Sequence, residues 1–265
     1  MSHSSIPRRL ALAVTAVVAL AAFGEPAAAQ QHDLWITLST PEAGPQLRVN
    51  FGAPRQRLMP SKPKLVELQA ITPDETAGLA TALTPSPPDV PPALVAPLPT
   101  KPNRTLAAAT YDSGYWVTLK DGSGRNTSRR LAPDAAASRW SVRFAKAAFG
   151  PAAPWLKVVG HTLEIVPLEI PAPTAGAIRV RVLFRGAPLP GASILYGEGS
   201  ADLDPTQAPH VATDADGVAT VPIRKAGAQL LTARHSVGPS ATPDLADRDD
   251  YSATFAFRLD EVSMN

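Results

Sequence analysis

The stretch "AIRVRVLF" (Ala177–Phe184), continued by "RGAPLPGA" (Arg185–Ala192) and later by "TDADGVATVPI" (Thr213–Ile223), decides the fold. In the first, apolar and charged residues alternate with the period of two that places them on opposite faces of a sheet. The second supplies a proline- and glycine-punctuated turn. The third reads as strand, turn, strand, with Gly217 able to take a positive φ after Asp216, and it predicts a hairpin. "DADG" also opens like a calcium loop, but the later ligand positions are missing.

The same pattern extends outward in both directions. Short runs rich in Val, Ile, Leu, Thr and aromatics predict strands over 33–39, 46–51, 64–71, 105–111, 115–120 and 162–167, then over 177–184, 193–196, 217–223, 230–235 and 252–259. The 29 prolines of the 265-residue chain fit this reading, because proline interrupts helices and is confined to edges and turns in sheets. The expected fold class is all-β, with two β-sandwich-like domains.

Between the runs, composition suggests the organisation. "TPSPPDVPPALVAPLPTKP" (Thr84–Pro102) is too proline-rich for a central strand and reads as a long surface connection, with a polyproline II ligand as the alternative. "PAPTAG" (Pro171–Gly176) reads as a linker between an N-terminal β-rich domain, residues 30–170, and a C-terminal β-sandwich, residues 177–265. At the start, Arg8 and Arg9 precede an apolar run, Leu10–Phe23, which ends at the small residues Ala27–Ala29. That pattern predicts an export signal over residues 1–29 and a periplasmic mature protein. The run is shorter than the roughly 20 residues of a membrane-spanning helix, so no span is expected in the mature chain.

Composition also narrows the chemistry. There is no cysteine, which removes disulfides, thiolate nucleophiles and thiolate metal sites. The formal net charge of +2 is too balanced to suggest nucleic acid as a partner. No Gly-x-Ser-x-Gly elbow, His-Glu-x-x-His, phosphate loop or dinucleotide fingerprint occurs, so no enzyme activity and no organic cofactor are expected.

Histidines carry the remaining chemistry. In "AAAQQHDLWI" (Ala27–Ile36), cleavage after Ala29 makes His32 the third residue. The amine of Gln30, the amides of Gln31 and His32 and the imidazole then offer the square-planar nitrogen set that Cu(II) and Ni(II) favour. Cleavage after Gln31 would instead leave amine and imidazole of His32 as a two-point clamp, and cyclised Gln30 would block the amine. His235 precedes a loop with Asp247 and Asp249, which could complete a nitrogen and oxygen site. His161, near Glu164, is the next candidate. Against these stand the plainer readings: His32 begins a strand, the acidic run is solvated and His161 is a hydrogen-bonded structural histidine.

Several stretches together resemble a family of exported bacterial proteins known as a domain of unknown function and described as the substrate-specific component of nickel uptake. They are "HDLWI" (His32–Ile36), "GYWVTLKDG" (Gly114–Gly122), "RFAKA" (Arg143–Ala147) and "GHTLEIVPLE" (Gly160–Glu169). "VRVLFRGAPLPGA" (Val180–Ala192), "TDADGVATVPI", "LLTARH" (Leu230–His235) and "DYSATFAF" (Asp250–Phe257) complete the order. The resemblance implies a C-terminal sandwich similar to prealbumin-like or carboxypeptidase-regulatory modules. It further implies handling of Ni, Co or Cu ions, with delivery to a membrane metal transporter. Family members commonly start at the histidine matching His32; here Gln30 and Gln31 precede it. They often carry another histidine where this chain has Ala53. The alternative function is a non-catalytic interaction module that binds a protein or carbohydrate.

Overall fold

The computed structural model describes residues 32–53, 56–172, 175–198 and 209–259. Strands form wherever β-branched and aromatic residues recur between turn residues. The first are β1 (Asp33–Ser39), β2 (Gln46–Gly52), β3 (Arg57–Leu58), β4 (Leu65–Ile71), β5 (Thr76–Gly78) and β6 (Thr84–Pro85). Next come β7 (Leu94–Pro97), β8 (Leu106–Thr118), β9 (Gly124–Arg125), β10 (Ala137–Ala148), β11 (Leu163–Pro167) and β12 (Ala177–Phe184). The last are β13 (Ala187–Pro188), β14 (Ser193–Glu198), β15 (His210–Ala212), β16 (Val218–Pro222), β17 (Gly227–Val237) and β18 (Arg248–Leu259).

These strands make three sheets. The central one has the order β15-β14-β17-β18-β10-β8-β4-β5, with β9 attached to β8. A front sheet has the order β1-β2-β7-β6 with β3 on β2, and a back sheet has β11-β12-β13 with β16 on β12. Alternation along the central strands gives each face its own core. On β10, Val142 and Phe144 join a core with Ile165, Val180 and Val221 of the back sheet. Ala145 and Ala147, one step away, join a second core with Leu34, Leu47 and Leu94 of the front sheet. The fold is therefore an all-β, sandwich-like structure in which two sandwiches share their middle sheet.

Residue size differs between the two cores. The back face of the central sheet carries Phe144, Tyr251, Phe255 and Phe257. The front face carries Ala107, Ala109, Ala145, Ala147 and Ala256. Small side chains let β1 lie close across β10 and β18. The hydroxyl of Thr254 on β18 reaches the backbone of β1, donating to the carbonyl of Leu34 at 2.7 Å.

Several expectations change in detail. The strand β10 was absent from the expected set, although it lies in the centre of the molecule between β8 and β18. Its pairing with β18 is parallel, Phe144 opposite Ala253, while that with β8 is antiparallel. Two expected strands fuse into β8, through an irregularity that accommodates Gly114 at φ +76°. Asp112 fixes this point by accepting from the Gly114 amide at 2.8 Å.

The proline-rich segment also contains a strand. Leu94, Val95 and Ala96 are free of proline, so β7 can sit between β2 and β6, with Pro97 at its end. The "DADG" turn is not a hairpin: β15 before it belongs to the central sheet and β16 after it to the back sheet. Asp214 caps this corner by accepting from the amides of Asp216 and Val218 at 2.9 Å each. Gly217 has φ +69°, and a Cβ there would meet the Val182 carbonyl oxygen at 2.9 Å.

On either side of Pro171–Gly176, strands β11 and β12 pair antiparallel, and β10 pairs with β18 across the same point in the sequence. Pro173 and Thr174 of that segment lie outside the described residues. Among the described residues, no helix is long and apolar enough to cross a membrane.

Candidate functional site

The expected export signal over residues 1–29, and with it Gln30 and Gln31, lies outside the described residues, so the site is built from His32 onward. His32 immediately precedes β1, and its imidazole packs edge-on against Phe51 of β2 at 5.4 Å. Burial lowers its pKa, and the nearby Arg143 guanidinium lowers it further, so the imidazole is neutral at pH 7 with a lone pair to offer. The backbone here is fastened from below. Arg143 on β10 donates through Nε to the His32 carbonyl oxygen at 2.5 Å, and also bonds the Ser113 hydroxyl.

Asp33 is held equally firmly. Arg234 on β17 donates to its Oδ2 at 2.6 Å. Burial pushes the Asp33 carboxyl upward, while Arg234 and Arg143 pull the other way. The second oxygen, Oδ1, is buried without a hydrogen-bond partner. The backbone carbonyl of His32 and the carboxylate of Asp33 thus dock on two arginines from distant strands, while the imidazole turns to Phe51. Arg143 itself lies over the Phe51 ring at 5.4 Å.

The other candidate ligands lie elsewhere. The His235 ring meets Phe184 of the back sheet at 4.5 Å, whereas its neighbour Arg234 turns to the front face to reach Asp33. Strand alternation therefore separates His32 and His235 by the thickness of the central sheet. His161 packs on Phe144 at 5.0 Å, in the back core. Burial depresses its pKa to about 4, against the pull of Glu164.

The two candidate aspartates are engaged in fastening the loop before β18. Asp249 is 1% exposed and accepts from the Ser240 hydroxyl at 2.5 Å and the Ala241 amide at 3.1 Å. Asp247 accepts from Arg129 at 2.6 Å and from the Ser138 amide at 2.7 Å. Partial burial would raise its pKa, but these bonds outweigh that and hold it below the usual carboxylate range. Among the described residues, no three His, Asp or Glu side chains converge as a metal site.

Behind His161 lies a buried ion pair. Lys146 and Glu164 are each 1% exposed and meet at 2.7 Å. Glu164 also accepts from the amides of Val159 and Gly160 at 2.9 and 3.0 Å, and Lys146 donates to the Lys157 carbonyl at 2.9 Å. All of these groups are satisfied, and together they pin the loop at 157–160 to the back core. A cavity on the back sheet, lined by Leu156, Val158, Val166, Arg181 and Leu183, is remote from His32.

Sequence reasoning overlooked Asp33, Arg143, Arg234 and Thr254, which fasten the backbone from His32 to Leu34. A signal was present: these residues fall in "HDLWI", "RFAKA", "LLTARH" and "DYSATFAF", four of the stretches that carry the family resemblance. In the fold these stretches meet at the start of β1.

No curated protein matches this chain. Among solved structures, a chimeric titin Z1Z2-Z1Z2 tandem, functionalized with a GRGDS exogenous peptide from fibronectin, is similar at 10% identity. That alignment covers 85% of this chain and 96% of the other with a TM-score of 0.15. A family model does match, over residues 29–237, and the chain belongs to that family, the domain of unknown function DUF4198.

Proposed function

We propose that the chain is a periplasmic binding protein for a divalent transition metal, Ni(II), Co(II) or Cu(II), which it hands to a membrane transporter without catalysing a reaction. The observation that supports this reading is the fastening of His32. Its carbonyl is held by Arg143 and its neighbour Asp33 by Arg234, while burial keeps the imidazole neutral. A ligand whose backbone is already ordered loses less entropy when a metal arrives. Neither anchor uses the imidazole, which is therefore open to a chelate with Gln30 and Gln31 or to one of His32 alone. His235, His161, Asp247 and Asp249 serve this reading as packing and loop-fastening groups.

The test is a titration of Ni(II) and Cu(II) into the exported, processed protein, with its N-terminal residue fixed by intact mass. Micromolar or tighter binding that disappears in His32→Ala is expected. Absence of binding with a free amine would overturn the proposal. It would favour the second reading, a non-catalytic interaction module, for which the apolar cavity around Leu156 and Val158 on the back sheet speaks.

A further inference from the structure

The register of the central sheet places an unusual row beneath the start of β1. Arg234 on β17 stands opposite Ser252 on β18, Ser252 opposite Arg143 on β10, and Arg143 opposite Tyr111 on β8. Four residues further along the strands, roughly 13 Å away at strand spacing, Arg248 stands opposite Arg139, and Arg139 opposite Trp116. The Arg139 guanidinium lies over the Trp116 ring at 5.9 Å. Four guanidiniums therefore share one face of the sheet. Two carboxylates answer them: Asp33 bonds Arg234 at 2.6 Å, and Asp250 lies 2.9 Å from Arg248 and 3.7 Å from Arg139.

That surplus of positive charge is the wrong surrounding for a bare dication and the right one for an anion. Ser252 provides an independent sign of the same preference. It is 9% exposed, lies between Arg234 and Arg143, and its hydroxyl has no hydrogen-bond partner. A buried donor without an acceptor between two cations is an unfilled place for negative charge. Arg248 keeps 47% of its side chain exposed and Arg139 21%, so both can reach a ligand from solvent, while Arg234 is already engaged by Asp33. A guanidinium grips a carboxylate through two parallel bonds, and stacking on Trp116 orients one of the forks.

We infer that the species taken up at His32 is a metal ion already chelated by a small polycarboxylate and carrying net negative charge, with the imidazole on the metal and Arg139 and Arg248 on the outer carboxylates. This rests on the metal-binding reading of His32. Binding adds the imidazole to the metal's coordination shell, in place of a water or one arm of the chelator, and changes no oxidation state.

The test uses the mature protein with a defined N-terminus, titrated with Ni(II) alone, citrate alone and the 1:1 nickel–citrate complex, with radiolabelled citrate to follow the anion. Nickel and citrate are expected to bind together in a 1:1 ratio, each tightening the other at least tenfold. The double variant Arg139→Gln/Arg248→Gln should release the citrate and still bind nickel through His32. Arg104→Gln, which removes one exposed charge elsewhere, should change nothing, and equal thermal midpoints would show that the variants are folded.

If citrate merely strips nickel from the protein, or if the double variant keeps the ternary complex, the inference is overturned and the metal site stands. If neither nickel nor nickel–citrate binds, the metal reading fails with it. Citrate binding that ignores both nickel and His32→Ala would show an anion site separate from His32 and would overturn the inference.

Discussion

Phe144, Tyr251, Phe255 and Phe257, on the back face of the central sheet, belong to the core that Trp155 and the apolar strands of the back sheet complete. The front face of the same strands carries Ala145, Ala147, Thr254 and Ala256. On the back side Trp155 packs edge-to-face on Phe255 and Phe257, with ring centroids 5.7 and 5.5 Å apart. On the front side small residues admit the backbone of β1, and where they run out Arg143 and Arg234 hold its first residue, Asp33, and the preceding His32. One sheet thus offers a bulky face suited to packing and a thin face suited to presenting His32.

The contrast breaks most sharply at the buried ion pair of the back side. Glu164→Ala leaves the Lys146 ammonium without its counter-ion and two amides unpaired in a site almost closed to solvent. Chemical denaturation should report a loss of about 3 to 5 kcal/mol, while the nickel affinity of whatever remains folded should be unchanged.

Acid attacks the same side. His161 titrates near 4 in the fold against about 6.5 when unfolded, so the unfolded chain takes up its proton first. Stability is fully present above pH 6.5 and falls as the pH drops toward 4, by up to about 3 kcal/mol. Thermal midpoints measured between pH 7 and 4.5 should show this decline, and His161→Phe should flatten it.

The front face is sharpened by the opposite kind of change. Ala145→Leu overfills the space beneath β1 and should cost about 1 to 3 kcal/mol. Here the nickel affinity should fall along with the thermal midpoint, because the displaced strand carries His32. Unchanged affinity in this variant would show that β1 is not held by the close approach of the two sheets.

The legible parts of the sequence were those whose alternation is strong. "AIRVRVLF" became β12 over the expected residues, and β1 likewise matches Asp33–Ser39. Strand β10 escaped because "RWSVRFAKAA" mixes charge and alanine. Lys146 imitates a solvent-facing residue but is buried against Glu164, and the alanines that mark a thin interface have little β-propensity of their own. The site was legible only as His32. Its partners Arg143 and Arg234 contact residues 32 and 33 across separations of 111 and 201 residues, and local pattern says nothing about pairing at that range. The opposite facing of His235 follows from the same long-range register.

The parallel pairing of β10 with β18 also sets a timetable for folding. Strand β18 is the last strand described, yet it occupies the middle of the molecule, between β17 and β10, and it contributes to both cores. A chain growing from its N-terminus can make hairpins early, but it cannot close either sandwich until residues 248–259 have been synthesised. Until then the apolar faces that β18 covers remain open.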